Sequence, residues 1–152
     1  MDKICSFFGH RKIKDGEELK RRVEITVEDL IKKGFTVFLF GGFGEFDELC
    51  HEIVSTLKTK YPVIKRVYCV ADEKYLRANK RPKDLQTEDY EEFIYYAPSF
   101  DYWYTRIYYR NCEMVKHSDC VVFYAENRVD SGAYKILQYV KKCKKSYINL
   151  ID

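Results

Sequence analysis

Short apolar runs alternate along this chain with longer segments whose apolar residues recur every three or four positions. Ile4-Cys5-Ser6-Phe7-Phe8 ends at Gly9, and Thr36-Val37-Phe38-Leu39-Phe40 ends at Gly41-Gly42. Arg66–Val70, Cys120–Tyr124 and Tyr147–Ile151 are further runs of the same kind. A near-continuous apolar run predicts a strand covered on both faces. Between the runs, Leu19, Val23, Val27, Leu30 and Ile31 predict one amphipathic helix, and Phe46, Leu49, Cys50, Ile53, Val54 and Leu57 a second. Tyr104, Ile107, Tyr108, Asn111, Met114 and Val115 predict a third, and Ala133, Ile136, Leu137 and Val140 a fourth. Asp15 with Glu18, and Ser131, are the expected N-caps; Gly34 closes the first helix. Glu92-Phe93-Ile94-Tyr95 predicts one more short strand, after a charged, turn-rich loop from Ala71 to Asp89. This alternation implies an α/β chain with a mostly parallel sheet between two helix layers. No linker or internal repeat interrupts residues 1–152, which are expected to form one domain.

Composition removes several classes. With 46% hydrophobic and 34% charged residues the chain is not of the disordered type. No apolar run approaches the roughly 20 residues of a membrane span. Met1-Asp2-Lys3-Ile4-Cys5 lacks the apolar stretch of a secretory signal, so the expected location is cytoplasmic, with no membrane partner. A net charge of +3 is too mild to argue for nucleic-acid binding. Cys5, Cys50, Cys69, Cys112, Cys120 and Cys143 show no C-x-x-C pairing and no histidine at zinc spacing, so buried reduced thiols, and no metal, are expected.

In parallel α/β sheets, ligands bind at the carboxyl ends of the strands. Four loops lie there, after Phe8, Phe40, Val70 and Tyr124. The first carries Gly9-His10-Arg11-Lys12, a glycine followed by cations. It suits an anion, and equally a turn with solvated charges. The second, Gly41-Gly42-Phe43-Gly44-Glu45, leads straight into a helix, where backbone N–H groups can meet a phosphate. It is neither a Walker loop nor a full dinucleotide fingerprint. The last carries Ser131 and Gly132. Upstream, Arg110 sits beside Asn111, a pair fit to clamp phosphate or ribose. As a loop-facing residue, Arg110 is expected to contribute little packing. Lys141, Lys142, Lys144 and Lys145 complement the dipole of the last helix.

Three segments in this order resemble the SLOG superfamily, the Rossmann-like group that includes the Lonely Guy phosphoribohydrolases, and within it the YpsA-like branch. They are Cys5-Ser6-Phe7-Phe8-Gly9-His10-Arg11, Phe38-Leu39-Phe40-Gly41-Gly42 with Glu45-Phe46-Asp47, and Arg110–Asp119. The resemblance implies a Rossmann-like three-layer sandwich with a site for nucleotides or molecules derived from them. Phosphoribohydrolases of the group carry Pro-Gly-Gly-x-Gly-Thr-x-x-Glu, whose Glu acts with a helix Arg on an N-glycosidic bond. Arg110 matches that Arg. The matching loop, Asn127–Lys135, keeps Ser131-Gly132 but places Tyr134 or Lys135 where the Glu would fall. A lysine there opposes an oxocarbenium-like transition state. Hydrolysis would need Glu45, Asp47 or Glu48 in its place.

The resulting expectation is a binding protein, a sensor or sequestering protein for a nucleotide-derived, ADP-ribose-like or cyclic nucleotide ligand, with no further cofactor. Phosphate would lie on the backbone of Gly41, Gly42, Ser131 and Gly132, and Gly9 and Gly44 are expected to bind the ligand as well. His10, Arg11 and Arg110 would supply charge or hydrogen bonds, and Asn111 would reach ribose. The alternatives are a nucleoside monophosphate phosphoribohydrolase using Arg110 and Glu45, and single-stranded DNA binding. A homodimer is also expected. The group is commonly dimeric, and Tyr90, Phe93, Tyr95, Tyr96, Phe100, Tyr102, Trp103, Tyr104, Tyr108 and Tyr109 crowd one stretch. Packing Tyr104, Ile107 and Tyr108 on the sheet leaves Tyr102, Trp103 and Tyr109 to be covered by a partner or by the loop from Ala71 to Asp89.

Overall fold

The computed structural model describes residues 2–14, 16–42, 44–71, 89–95 and 103–151. The elements run β1 (Lys3–Gly9), α1 (Gly16–Lys32), β2 (Phe35–Phe40), α2 (Glu45–Lys60), β3 (Lys65–Val70) and β4 (Glu92–Tyr95). They continue with α3 (Trp103–Lys116), β5 (Cys120–Tyr124), α4 (Gly132–Lys142) and β6 (Tyr147–Asn149). The strands form one sheet in the order β4-β3-β2-β1-β5-β6, and every described pair is parallel. This is a Rossmann-like three-layer sandwich. Asp15 and most of the loop between Ala71 and Asp89 lie outside the described residues, as do Tyr96, Phe100 and Tyr102 of the aromatic stretch.

The period-two alternation of strand side chains builds two cores. Cys5, Phe7, Phe38, Phe40, Tyr68 and Val122 face α1 and α2, meeting Val23, Val27, Phe46 and Val54. Phe8, Leu39, Val67, Val121 and Phe123 face α3 and α4, meeting Met114, Val115, Ile136 and Val140. The Phe7 ring lies 6.1 Å from Phe38 and 5.3 Å from Phe40, so the central strands interlock through aromatic stacking.

Four expectations need correction. The last strand stops at Asn149 rather than Ile151. The Asn149 side chain accepts from the Ala125 N–H at 3.1 Å and donates to the Ala125 carbonyl at 2.9 Å, replacing the backbone ladder at the point where it ends. Cys143 is exposed at the end of α4, whereas the other five cysteines are buried. On α3 the packed stripe includes Arg110, Met114 and Val115, and Tyr108 is 45% exposed, so Tyr108 lies off the sheet-facing side. Arg110 itself is buried, which bears on the site below.

The end of α4 carries a local strain. The Lys144 N–H bonds to the Lys141 carbonyl and the Lys145 N–H to the Val140 carbonyl, a Schellman turn. It requires left-handed backbone at Lys144, where φ is 56°. Glycine adopts that conformation without a Cβ penalty, so Lys144→Gly should stabilise the protein by about 0.5–1 kcal/mol. Chemical denaturation checks this; an unchanged or lower midpoint counts against it. Among the described residues, no helix is long and apolar enough to cross a membrane.

Candidate functional site

Strand β1 is flanked by β2 on one side and β5 on the other, so the chain order reverses across it. That is the switch point where open α/β sheets hold ligands. A cleft of about 720 Å³ opens there. Its wall brings together Gly9 at the end of β1 with His10 and Arg11 after it, Gly41 after β2, Arg110 and Asn111 on α3, and Ser131 and Gly132 at the start of α4. Gly42, Gly44 and Glu45 do not line it. Asp47, Ile107, Tyr124, Glu126 and Arg128 do, together with Lys12 and Lys14.

His10 is a bridge rather than a solvated cation. It is 7% exposed. Its Nε2 accepts from the Glu126 N–H at 2.7 Å, so Nδ1 carries the proton and donates to Ser131 Oγ at 3.1 Å. Ser131 Oγ also accepts from the Tyr134 N–H, capping α4 as its sequence position predicts. In this tautomer His10 cannot take the Ser131 proton, so the pair is not an activated serine nucleophile. Burial, reinforced by Arg128 and opposed by Glu126, holds His10 below the ordinary histidine value of 6.5.

The unfolded chain therefore binds more protons than the folded one between the two values. The His10 contribution to stability is fully present above pH 6.5 and is lost as pH drops through the folded value. Acidification should cost about 1 kcal/mol, the net worth of the Glu126 bond that a protonated ring cannot accept. The difference in melting between the parent and His10→Gln, from pH 7.5 to 5, reads it, because Asp47, whose carboxyl burial raises to about 7, contributes with the opposite sign in both. His10→Gln, which can both accept and donate, should lack the acid loss; an equal slope in both proteins removes His10 as the cause.

Arg110 is 3% exposed, against the expectation of a loop-facing side chain. Nη1 donates to the Gly41 carbonyl at 2.9 Å and the Cys69 carbonyl at 3.0 Å, and Nε donates to Asn111 Oδ1 at 3.0 Å. One guanidinium thus ties the ends of β2 and β3 to α3. Asp47, in the first turn of α2, does the matching work on the N–H side. Its Oδ1 accepts from the Gly41 N–H at 3.2 Å and its Oδ2 from the Gly42 N–H at 3.1 Å. Burial pushes the Asp47 carboxyl up to about 7, against the opposing pull of both N–H groups and Arg110. The glycine-loop donors in this structure thus face a carboxylate of the chain itself. Gly-Gly followed by an acid in the next helix's first turn is the sequence signal for that contact.

Glu45 holds the neighbouring loop. Its Oε2 accepts from the Ile13 N–H at 2.9 Å, and its own N–H donates to the Arg11 carbonyl at 2.8 Å. At the start of α4 the Gly132 and Ala133 N–H groups have no hydrogen-bond partner among the described residues, and both residues line the cleft. Apart from its chain neighbours and its own helix backbone, no heavy atom of the described residues lies within 4 Å of a Cβ built on Gly132. Arg11, Lys12 and Lys14 form no ion pair among the described residues, and Arg128 Nε lies 3.7 Å from Glu126. Among the described residues no group of three or more His, Cys, Asp or Glu could hold a metal ion.

The fold recurs in other solved proteins. The X-ray structure of TM1055, a structural-genomics target, superposes with a TM-score of 0.60 at 15% identity, over 95% of this chain and 72% of that one. The molybdenum cofactor carrier protein of Chlamydomonas reinhardtii superposes with a TM-score of 0.58 at 14% identity, over 97% of this chain and 75% of that one. A second structure of that carrier gives the same TM-score over 99% and 76%. At these identities the likeness is one of fold. In sequence, the chain matches no family model and no curated protein.

Proposed function

We propose that the switch-point cleft binds a nucleotide or nucleotide-derived anion, ADP-ribose-like or cyclic, and that the chain is a single-domain cytoplasmic sensor or sequestering protein of the SLOG superfamily's YpsA-like branch. The observation that carries this is the start of α4. Two N–H groups with no partner among the described residues belong to Gly132 and Ala133, which line a cleft shared with Arg11, Lys12, Lys14 and Arg128 and with the acids Glu126 and Asp130. Helix N-termini with free amides favour phosphate. A cleft of about 720 Å³ is of the size that takes a small organic ligand. In this reading Ser131 and Gly132 receive the phosphate, while Gly41 and Gly42 shape the wall through Asp47. The amide of Asn111 reaches ribose. A carrier of a molybdenum cofactor built on the same fold supports small-molecule binding.

Isothermal calorimetry against nucleotides, ADP-ribose and cyclic nucleotides tests the proposal. Silence across that panel, with the protein folded, ends it. Hydrolysis of a nucleoside monophosphate is a second reading, favoured by the cleft position of Asp47 and its carboxyl near 7. Base released from AMP and lost in Asp47→Asn would select it. The homodimer belongs to the same proposal, with the exposed Tyr108 of α3 on its contact face. A monomer mass by light scattering at tens of micromolar would remove it.

A further inference from the structure

Asp47 differs from the other acids of the cleft in its burial. Among the described residues three acids line the cleft, Asp47, Glu126 and Asp130, and of these Asp47 alone is buried, at 8% exposure. It forms no ion pair among the described residues, and its contacts are the two N–H groups of Gly41 and Gly42. Arg110 on α3 is the cation whose charge reaches it, and Arg110 gives its own bonds to carbonyls and Asn111. Glu48 on α2 adds a like charge. Cys50 on α2, Cys69 on β3 and Tyr90 ahead of β4 also sense Asp47, and burial raises all three, which keeps them neutral.

An anion entering this cleft meets the Asp47 carboxylate, which is itself only 8% exposed. Two like charges there repel far more strongly than in water. We propose that the anion enters with a proton, taken from solvent by the Asp47 carboxylate. The inference rests on the cleft-binding reading above. The balance is simple: a carboxylate and a proton become a carboxylic acid, and no other bond changes. The acid form keeps lone pairs for the Gly41 and Gly42 N–H groups and gains one O–H to donate to the ligand. Because burial already holds the carboxyl near 7, the proton is available at neutral pH at small cost.

ADP-ribose and cyclic AMP are suitable probes, because their phosphate groups stay ionised from pH 6.5 to 8.5. His10, held below its ordinary value, is neutral over most of that range. Calorimetry in two buffers of different ionisation enthalpy should show uptake of up to one proton per ligand. Affinity should weaken by up to about 25-fold from pH 6.5 to 8.5, the limit that linkage to one group titrating near 7 sets. In Asp47→Asn both the buffer-dependent heat and the pH slope should vanish. If that variant does not fold, the aspartate carboxyl carbon resonances of the unaltered protein give the same answer, one midpoint moving upward when the probe is added. Binding with equal heats in both buffers and a flat pH profile overturns the coupling and leaves the binding reading standing. Absence of binding by both probes and by AMP overturns the two together.

Discussion

Arg110→Ala is expected to destabilise the protein by about 2–4 kcal/mol, because two buried carbonyls lose their donor at once. The Gly41 and Cys69 carbonyls both accept from Nη1. The same truncation removes the cation whose charge reaches Asp47, so that carboxyl should hold its proton to higher pH. For a chain of this length the loss should lower Tm by roughly 5–15 °C. Lysine should recover part of it, since one ammonium replaces the charge but not the fork that also bonds Asn111. An Arg110→Ala protein that melts like the parent would show that the carbonyls find other partners. Weak ligand binding by this variant is therefore read only beside its stability, since the side chain builds the wall it lines.

Gly42→Val should cost more than about 3 kcal/mol, from the sum of a left-handed backbone and an overfilled core. Gly42 has φ 82°, and a Cβ there would collide with the Tyr68 ring. Tyr68 cannot yield easily. It is 2% exposed and packed 5.3 Å from Tyr90 and 5.9 Å from Phe93. Gly132→Ala supplies the contrast. Beyond its own helix, its Cβ meets no atom of the described residues within 4 Å, so melting should hold or rise slightly. That methyl projects where the proposed phosphate approaches, and the loss should fall on affinity. Equal melting of Gly42→Val and the parent would refute the first expectation. Undiminished affinity in Gly132→Ala would take the phosphate away from α4.

Much of this architecture is legible from local pattern. The runs at Ile4–Phe8, Thr36–Phe40 and Cys120–Tyr124 became β1, β2 and β5 because uninterrupted apolar side chains need cover on both faces. Ser131 caps α4 as its position before an apolar-periodic segment requires. What stayed hidden depends on partners distant in sequence. Asn149 looks like one more strand residue until Ala125 is seen opposite its side chain. Arg110 looks like a ligand group because its neighbours on α3 do not disclose the carbonyls of Gly41 and Cys69. His10 followed by Arg11 and Lys12 reads as a cationic loop, yet its ring nitrogens are committed to Glu126 and Ser131. Charge and residue type are local properties; whether a polar group is already satisfied is a property of the fold.

The pairing of β1 with β5 also sets when the cleft can exist. Lys3 pairs with Phe35, a short return along the chain, but Cys5 pairs with Cys120 and Gly9 with Tyr124. Closing so long a loop is slow, and its entropy must be spent before any contact across it is gained. The first three strands with α1 and α2 can assemble while the binding wall contributed by α3, β5 and α4 is still absent. A ligand can then have no hold on the chain until the final docking of β5 beside β1. Added ligand should lengthen the lifetime of the folded protein while leaving its refolding rate unchanged, because the pocket is completed only after the rate-limiting closure has been passed.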